Sequence, residues 1–359
     1  MLSTVKARID LGAVHANLRV VHDLCPRSRV MAIVKADAYG HGLIAVARAL
    51  RSADGLAVAR LHEALALRDA GVRQRVLLLS THLDKQDLAV CSAREIDVTL
   101  HDRTSFEVIS QQAHRSPVRV WLKLDSGMHR LGLDPHAFLE ADKFLSKHPG
   151  VLERIHMSHF SCADQAVAET IESQLSCFCR CSREGSGVAS SLANSAALIS
   201  RADTHREWVR PGIMLYGVNP VGLRYPLPLR PAMALTARVI SVREVNRGES
   251  VGYNQRWTSL RRSRIGTIGV GYGDGYPRHA RNGTPIWIKG AQVSLVGQVS
   301  MDSLSVDLTE REDVQVGDEA VLWGPELSAA VVAEYADTIA YELFTSVQSR
   351  VPREYLNGP

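Results

Sequence analysis

No run in the 359 residues approaches 18 consecutive apolar positions, the rough length that spans a bilayer, so no transmembrane helix is expected. Proline is sparse at 14 residues, and 45% of positions are hydrophobic, which excludes disorder as a description of the whole chain. Charge of one sign is also lacking: 42 Lys and Arg against 38 Asp and Glu leave a net +4. The basic residues are dispersed apart from Arg261-Arg262-Ser263-Arg264, which reads as solvated surface. A nucleic-acid stripe would need more, so no nucleic-acid partner is expected. Lys6, Arg8 and Asp10 interrupt the first ten residues before an apolar core of a secretory signal could form. Of six cysteines, Cys177, Cys179 and Cys181 alternate within a segment of helical periodicity. Residues two apart on a helix point about 200° apart, so these thiols do not converge on a metal, and none is expected. With Cys25, Cys91 and Cys162 they read as reduced thiols of a cytoplasmic protein. Internal repeats and low-complexity tracts are absent from the sequence.

What is present has two characters. At roughly 150 residues per domain the length suggests about two domains. Between residues 30 and 216, short β-type runs recur at 30–34, 55–59, 76–79, 96–100, 118–124, 154–158, 188–192 and 207–210. Several are continuously apolar, as in parallel strands covered on both faces. Helical spacing of apolar residues marks 43–50, 61–70, 136–146 and 165–179 between them. Eight strands alternating with helices fit a (β/α)8 barrel, with a doubly wound open sheet as the alternative. No Gly-rich dinucleotide fingerprint follows the first strand, which weighs against that alternative. From residue 231 the chain turns β-rich, with runs at 234–245, 264–270, 285–289, 293–299 and 320–323. Turns at Arg247-Gly248, Asn282-Gly283 and Gly317-Asp318 separate them, and one helix is expected over 328–344. The expected domains are therefore a barrel over 1–230 and a mainly antiparallel β-domain over 231–359.

A barrel carries its chemistry at the carboxyl ends of its strands. Those ends hold Lys35, Arg60, the stretch from Asp125 to Arg130, His159, Asn194-Ser195 and Arg210-Pro211-Gly212-Ile213. The last two loops follow the seventh and eighth strands, where barrels commonly hold phosphate on backbone N–H groups. Lys35 ends the apolar run Val30–Val34, where partial desolvation would lower its pKa and suit it to attack a carbonyl. The set suggests an organic cofactor bearing both phosphate and carbonyl.

Val34-Lys35-Ala36-Asp37-Ala38-Tyr39-Gly40-His41-Gly42 resembles the pyridoxal-phosphate attachment motif of bacterial alanine racemases. Further resemblances follow in order at Lys123–Gly132, Ser158-His159-Phe160, Ala193-Asn194-Ser195 and Val209–Ile213. The second half adds Val251-Gly252-Tyr253, Val270–Arg278, Val296–Asp302 and Ser349–Arg353, so the likeness spans almost the entire chain.

The resemblance implies a homodimer of barrel and β-domain chains, each active site completed by the other copy. It also implies that residues before about Asp10 pack on the β-domain. Lys35 then carries pyridoxal 5'-phosphate and serves as base on one face of the alanine α-carbon. Tyr253 of the second copy serves on the other face. Tyr39, Arg130, His159, Asn194, Ser195, Arg210, Gly212 and Ile213 are implied at the cofactor, with His159 also in a chain supporting the tyrosine. Arg210 would face the pyridine nitrogen, and Arg130 and Met301 the substrate. Tyr272 and Arg278 would line the channel to the site, and Lys123 matches a lysine carbamylated in some members. Ser349 stands where some members have a tyrosine at the phosphate, a departure at that contact. The implied reaction interconverts L- and D-alanine, for peptidoglycan or for alanine catabolism. Rival readings are a racemase of broader specificity, a decarboxylase of this fold, a non-catalytic cofactor-binding protein and a structural dimer with a degenerate site. Arg210 stands against the decarboxylase, which usually places glutamate at the pyridine nitrogen.

Overall fold

In the computed structural model of the chain, residues 4–79, 82–111, 117–165, 168–183 and 187–358 are described. Eight parallel strands close a barrel: β2 (Arg29–Ile33), β3 (Gly55–Val58), β4 (Arg75–Leu78), β5 (Ile96–Leu100), β6 (Val118–Lys123), β7 (Val151–Met157), β8 (Ser190–Ser191) and β9 (Trp208–Val209). The closing pair, Val30 of β2 against Val209 of β9, excludes the open doubly wound sheet. Strands such as β3 and β5 are buried at every position because helices cover their outer face, which explains their unbroken apolar runs. β8 and β9 are two residues long, shorter than the apolar runs that announced them.

Local capping chemistry starts the helices. Asp10, Asp84 and Asp102 accept backbone hydrogen bonds at the starts of α1 (Leu11–Leu24), α5 (Lys85–Ala93) and α6 (Arg103–Ser110). Asp134 does the same for α7 (Pro135–Leu145), with Pro135 at the first position. The remaining barrel helices are α3 (Leu43–Ala49), α4 (Leu61–Asp69), α8 (Ala168–Ser182) and α9 (Ser195–Ser200). A short element, α2 (Lys35–Tyr39), winds left-handed. At the opposite end of the barrel, Trp121 and Trp208 pack edge to face with ring centroids 5.5 Å apart. Trp121 Nε1 there donates to the buried Asp97 carboxylate at 3.0 Å.

The second half forms an eight-stranded sheet in the order β11 (Ser263–Ile268), β14 (Leu304–Asp307), β13 (Ala291–Val296), β12 (Pro285–Ile288), β15 (Glu319–Trp323), β10 (Met233–Val245), β1 (Val5–Asp10), β16 (Arg353–Leu356). β10 also pairs with β11, so the six strands from β11 to β10 form a closed ring. β1, the earliest strand, lies antiparallel to β10 and parallel to β16. The expected single helix over 328–344 is two, α10 (Ala329–Tyr335) and α11 (Ala340–Ser346). The break falls at Asp337, whose φ of 47° is incompatible with a continuing right-handed helix. The helix expected over 165–179 is α8, with residues 166 and 167 outside the described residues.

Candidate active site

A cavity of about 940 Å³ opens at the carboxyl ends of the barrel strands. Lys35 reaches it from the second position after β2. The next four residues, Ala36 to Tyr39, hold φ between 52° and 54°, a left-handed turn built without glycine. That conformation costs roughly 1–2 kcal/mol per residue, so the surroundings must impose it. Asp37 Oδ1 accepts from Leu43 N at 2.7 Å, and Glu63 Oε1 accepts from Asp37 N at 3.3 Å. Glu63 Oε2 also accepts from Ala59 N and Arg60 N, both at 3.1 Å, tying the turn to the end of β3. The turn brings Lys35 and Tyr39 onto the same cavity wall. Burial lowers the Lys35 pKa, and the Arg130 guanidinium lowers it further against a smaller opposing effect of Glu63.

Arg210 is buried at the cavity floor, with Nη1 donating to Ser191 Oγ and Nη2 to the Ser158 carbonyl, both at 2.5 Å. Burial brings its pKa down to about 10, which still leaves it charged at neutral pH. Its Nη2 lies 3.5 Å from His159 Nδ1. A guanidinium only donates, so Nδ1 accepts and the histidine proton sits on Nε2. Burial first, then Arg210, Lys123, Arg130 and Lys35, hold His159 well below the usual histidine range, hence neutral. Lys123, at the end of β6, is pushed down to about 8 by burial and by Arg210 and Arg130.

The far wall is a cradle of hydroxyl and backbone groups. Asn194 caps α9 by accepting from Ala197 N at 3.0 Å, which fixes Ser195 at the helix start. Ser195 Oγ accepts from Gly212 N at 2.8 Å and from Met214 N at 3.5 Å, leaving its own proton to donate toward the cavity. A Cβ at Gly212 would fall 2.7 Å from Tyr39 Oη, so only glycine lets the tyrosine hydroxyl close this corner. Tyr39 stacks on Tyr216 at 4.7 Å, and Tyr216 Oη donates to the Ile33 carbonyl at 3.0 Å. Burial raises the Tyr39 pKa, so its hydroxyl stays a neutral donor. Ile213 also lines the cavity, whereas Arg60 does not and instead precedes α4.

One wall went unread in the sequence. Thr338, Ile339, Tyr341, Glu342 and Thr345 reach the cavity from the β-domain of the same chain. The helix break at Asp337 places them there, and the signal for it is the Asp-Thr pair, with Glu342 accepting from Thr338 Oγ1 four residues on.

Four expected site residues lie elsewhere. Tyr253 and Met301 are 66% and 54% exposed on the β-domain and do not line the Lys35 cavity, nor do Tyr272 and Arg278. Hydrogen bonds nevertheless gather three of their segments on one face. Tyr272 N donates to Ser300 O at 3.0 Å, Gly273 N to Met301 O at 2.8 Å, and Asn254 Nδ2 to Gln298 Oε1 at 3.2 Å.

Two family models match the chain: the alanine racemase N-terminal domain over residues 9–220 and the alanine racemase C-terminal domain over 232–355. The chain belongs to the alanine racemase family. An alanine racemase of Yersinia pestis is 44% identical over 358 residues, 99% of each chain, and one of Shewanella sp. (strain MR-7) is 45% identical over 351 residues, 96% of this chain and 97% of that one. The solved biosynthetic alanine racemase of Pseudomonas aeruginosa superposes with a TM-score of 0.96 at 42% identity, covering 99% of this chain and all of that one. That of Acinetobacter baumannii gives 0.94 at 32%, with the same coverage. Because the match runs through both domains, the family frame disfavours a lone-barrel cofactor carrier and leaves the β-domain face to be accounted for.

Proposed function

We infer that this chain is an alanine racemase that interconverts L- and D-alanine, with pyridoxal phosphate held at Lys35. The observation that carries the reading is the cavity itself. Lys35, Lys123, Arg130 and Arg210 converge on the cavity that Tyr39, Ser195 and Gly212 also line. Burial and, after it, mutual repulsion depress Lys35, Lys123 and His159, and an anionic guest would relieve that repulsion. Phosphate, phenolate and substrate carboxylate are the anions this donor set fits. Tyr39, Ser195, Gly212 and Ile213 would hold the phosphate, with Asn194 holding Ser195 in place. Arg210 would donate to the pyridine nitrogen, and Arg130 would hold the phenolic oxygen and the substrate carboxylate.

When bound, pyridoxal phosphate supplies a carbonyl for an amine to condense with and a conjugated ring that takes up electron density from the α-carbon. Lys35 Nζ, unprotonated more readily than an exposed lysine, takes or returns the α-proton on one face. Arg210 keeps its own charge and would donate to the ring nitrogen, which would then need no proton and would supply a restrained electron sink. Racemisation needs a second group on the opposite face. Tyr253 is that group in this reading, supplied by a second copy of the chain whose face of Tyr253, Tyr272 and Met301 closes the cavity. The exposure of those residues supports the homodimer. Among the described residues no helix is long and apolar enough to cross a membrane, and a cytoplasmic location fits the reduced thiols.

The test combines purified protein, pyridoxal phosphate and L-alanine in heavy water, following optical rotation and α-proton loss together. Loss of both is expected. Exchange without loss of rotation would remove Tyr253 from its role, and neither change would overturn the activity. Lys35→Ala should abolish the visible absorbance band of bound cofactor.

A further inference from the structure

We propose that Arg353 is a positioning residue for Lys35, holding from the far end of the chain the left-handed turn that aims the amine. The proposal rests on the assignment of Lys35 above. The turn runs from Ala36 to Tyr39 at φ of 52° to 54° and ends on Gly40 at 75°. L-residues relax from this hand to the right-handed one unless held. The barrel holds the turn at its start through Glu63 and Asp37 Oδ1. Arg353 holds its end: Nε donates to the Gly40 carbonyl at 2.9 Å. Its Nη2 reaches the Val347 carbonyl at 3.2 Å, so one guanidinium ties the turn to the segment leaving α11. Gly40 sits so close to α11 that a Cβ would fall 2.1 Å from the Phe344 carbonyl oxygen. Between the two grips Ala38 and Tyr39 are buried, with Tyr39 stacked on Tyr216, so packing fixes the middle of the turn and Arg353 supplies the side-chain hydrogen bond at its Gly40 end. Arg353 is not part of the cavity wall, and its influence on Lys35 passes through the backbone. Release of the Gly40 end would shift Lys35 Nζ relative to Arg130 and move Tyr39, the other end of the same turn.

The experiment compares holoenzyme carrying Arg353→Met and Arg353→Lys with the unaltered protein. Three quantities are read: pyridoxal phosphate affinity, the pH midpoint of the visible absorbance band, and kcat against KM for alanine. Loss of a charge-assisted hydrogen bond corresponds to about a tenfold change. Arg353→Met is expected to weaken cofactor affinity and lower kcat by about that factor, to change KM less, and to shift the pH midpoint. Arg353→Lys, which keeps a donor on a flexible stem, should fall between. A staple that only joins the domains would lower thermal stability and leave the midpoint and affinity unmoved, and that outcome overturns the proposal. If Arg353→Met does not fold, Arg353→Lys decides: wild-type affinity and midpoint overturn it. Lys35→Ala separates the two layers of inference. A band that survives Lys35→Ala removes the lysine assignment, whereas a band lost there but unmoved by either Arg353 change removes only the role of Arg353.

Discussion

Lys123 shows what burial does to a single amine. The fold holds its pKa near about 8, below the ordinary 10.5, chiefly by desolvation and then by Arg210 and Arg130. Between those values the unfolded chain binds the proton that the folded chain has lost, so this group makes stability rise as pH rises from about 8 to about 10.5. Below that window the charged amine opposes folding in full. Lys123→Met should therefore raise the stability of cofactor-free protein at pH 7, by at most about 3 kcal/mol, and flatten the slope above pH 8. Urea midpoints at several pH values check both; an unaltered slope would mean that Lys123 titrates as an exposed lysine. The neutral amine is also the form that reacts with carbon dioxide. Intact mass under carbon dioxide should show a carbamate adduct that Lys123→Met loses. Lys35 was legible because it ends an apolar run, whereas Lys123, inside the 118–124 run, came only through the resemblance. Glu63 was not legible, since its work is done on backbone N–H groups that no side-chain pattern reveals.

At the scale of the element, α2 is the least legible part of the chain. Ala-Asp-Ala-Tyr carries no signal for a left-handed turn, and alanine by itself favours the opposite hand. Only Gly40 and Gly42 hint at it, and they differ in what surrounds them. At Gly40 a Cβ would meet the Phe344 backbone carbonyl at 2.1 Å, whereas at Gly42 it would meet the Tyr355 hydroxyl at 2.0 Å. Backbone cannot step aside, but a tyrosine half exposed on β16 can. Gly40→Ala should consequently destabilise the protein more than Gly42→Ala, by about 2 kcal/mol or more. Denaturation midpoints of the two variants check this, and equal losses would show that α11 yields as readily as a side chain. The break between α10 and α11 was missed for a related reason: apolar spacing persists across Asp337, and the Asp337-Thr338 pair is a faint signal beside it.

For the whole molecule, the barrel was legible because parallel strands buried on both faces leave unbroken apolar runs. The place of β1 was not legible from its own alternation, which fits any half-buried strand, and came only through resemblance. If each site joins Lys35 of one chain with Tyr253 of another, mixing two inactive variants has a definite outcome. In a Lys35→Ala and Tyr253→Phe heterodimer, one site carries both changes and the other carries neither. Equal co-expression should then restore about a quarter of the wild-type sites, since random pairing makes half of the dimers mixed. Activity no greater than that of the separate variants would place both residues in one chain's site. The pairing of β1 with β10 and β16 has a consequence in time. On the ribosome Val5–Asp10 emerges long before one of its strand partners, which lies at 353–356. The barrel can collect its helices during synthesis, but β1 cannot complete its pairing, nor α2 gain the Gly40 contact with Arg353, until residues 353–356 have emerged. A nascent chain stalled before residue 353 would hold a finished barrel around an incompletely braced lysine.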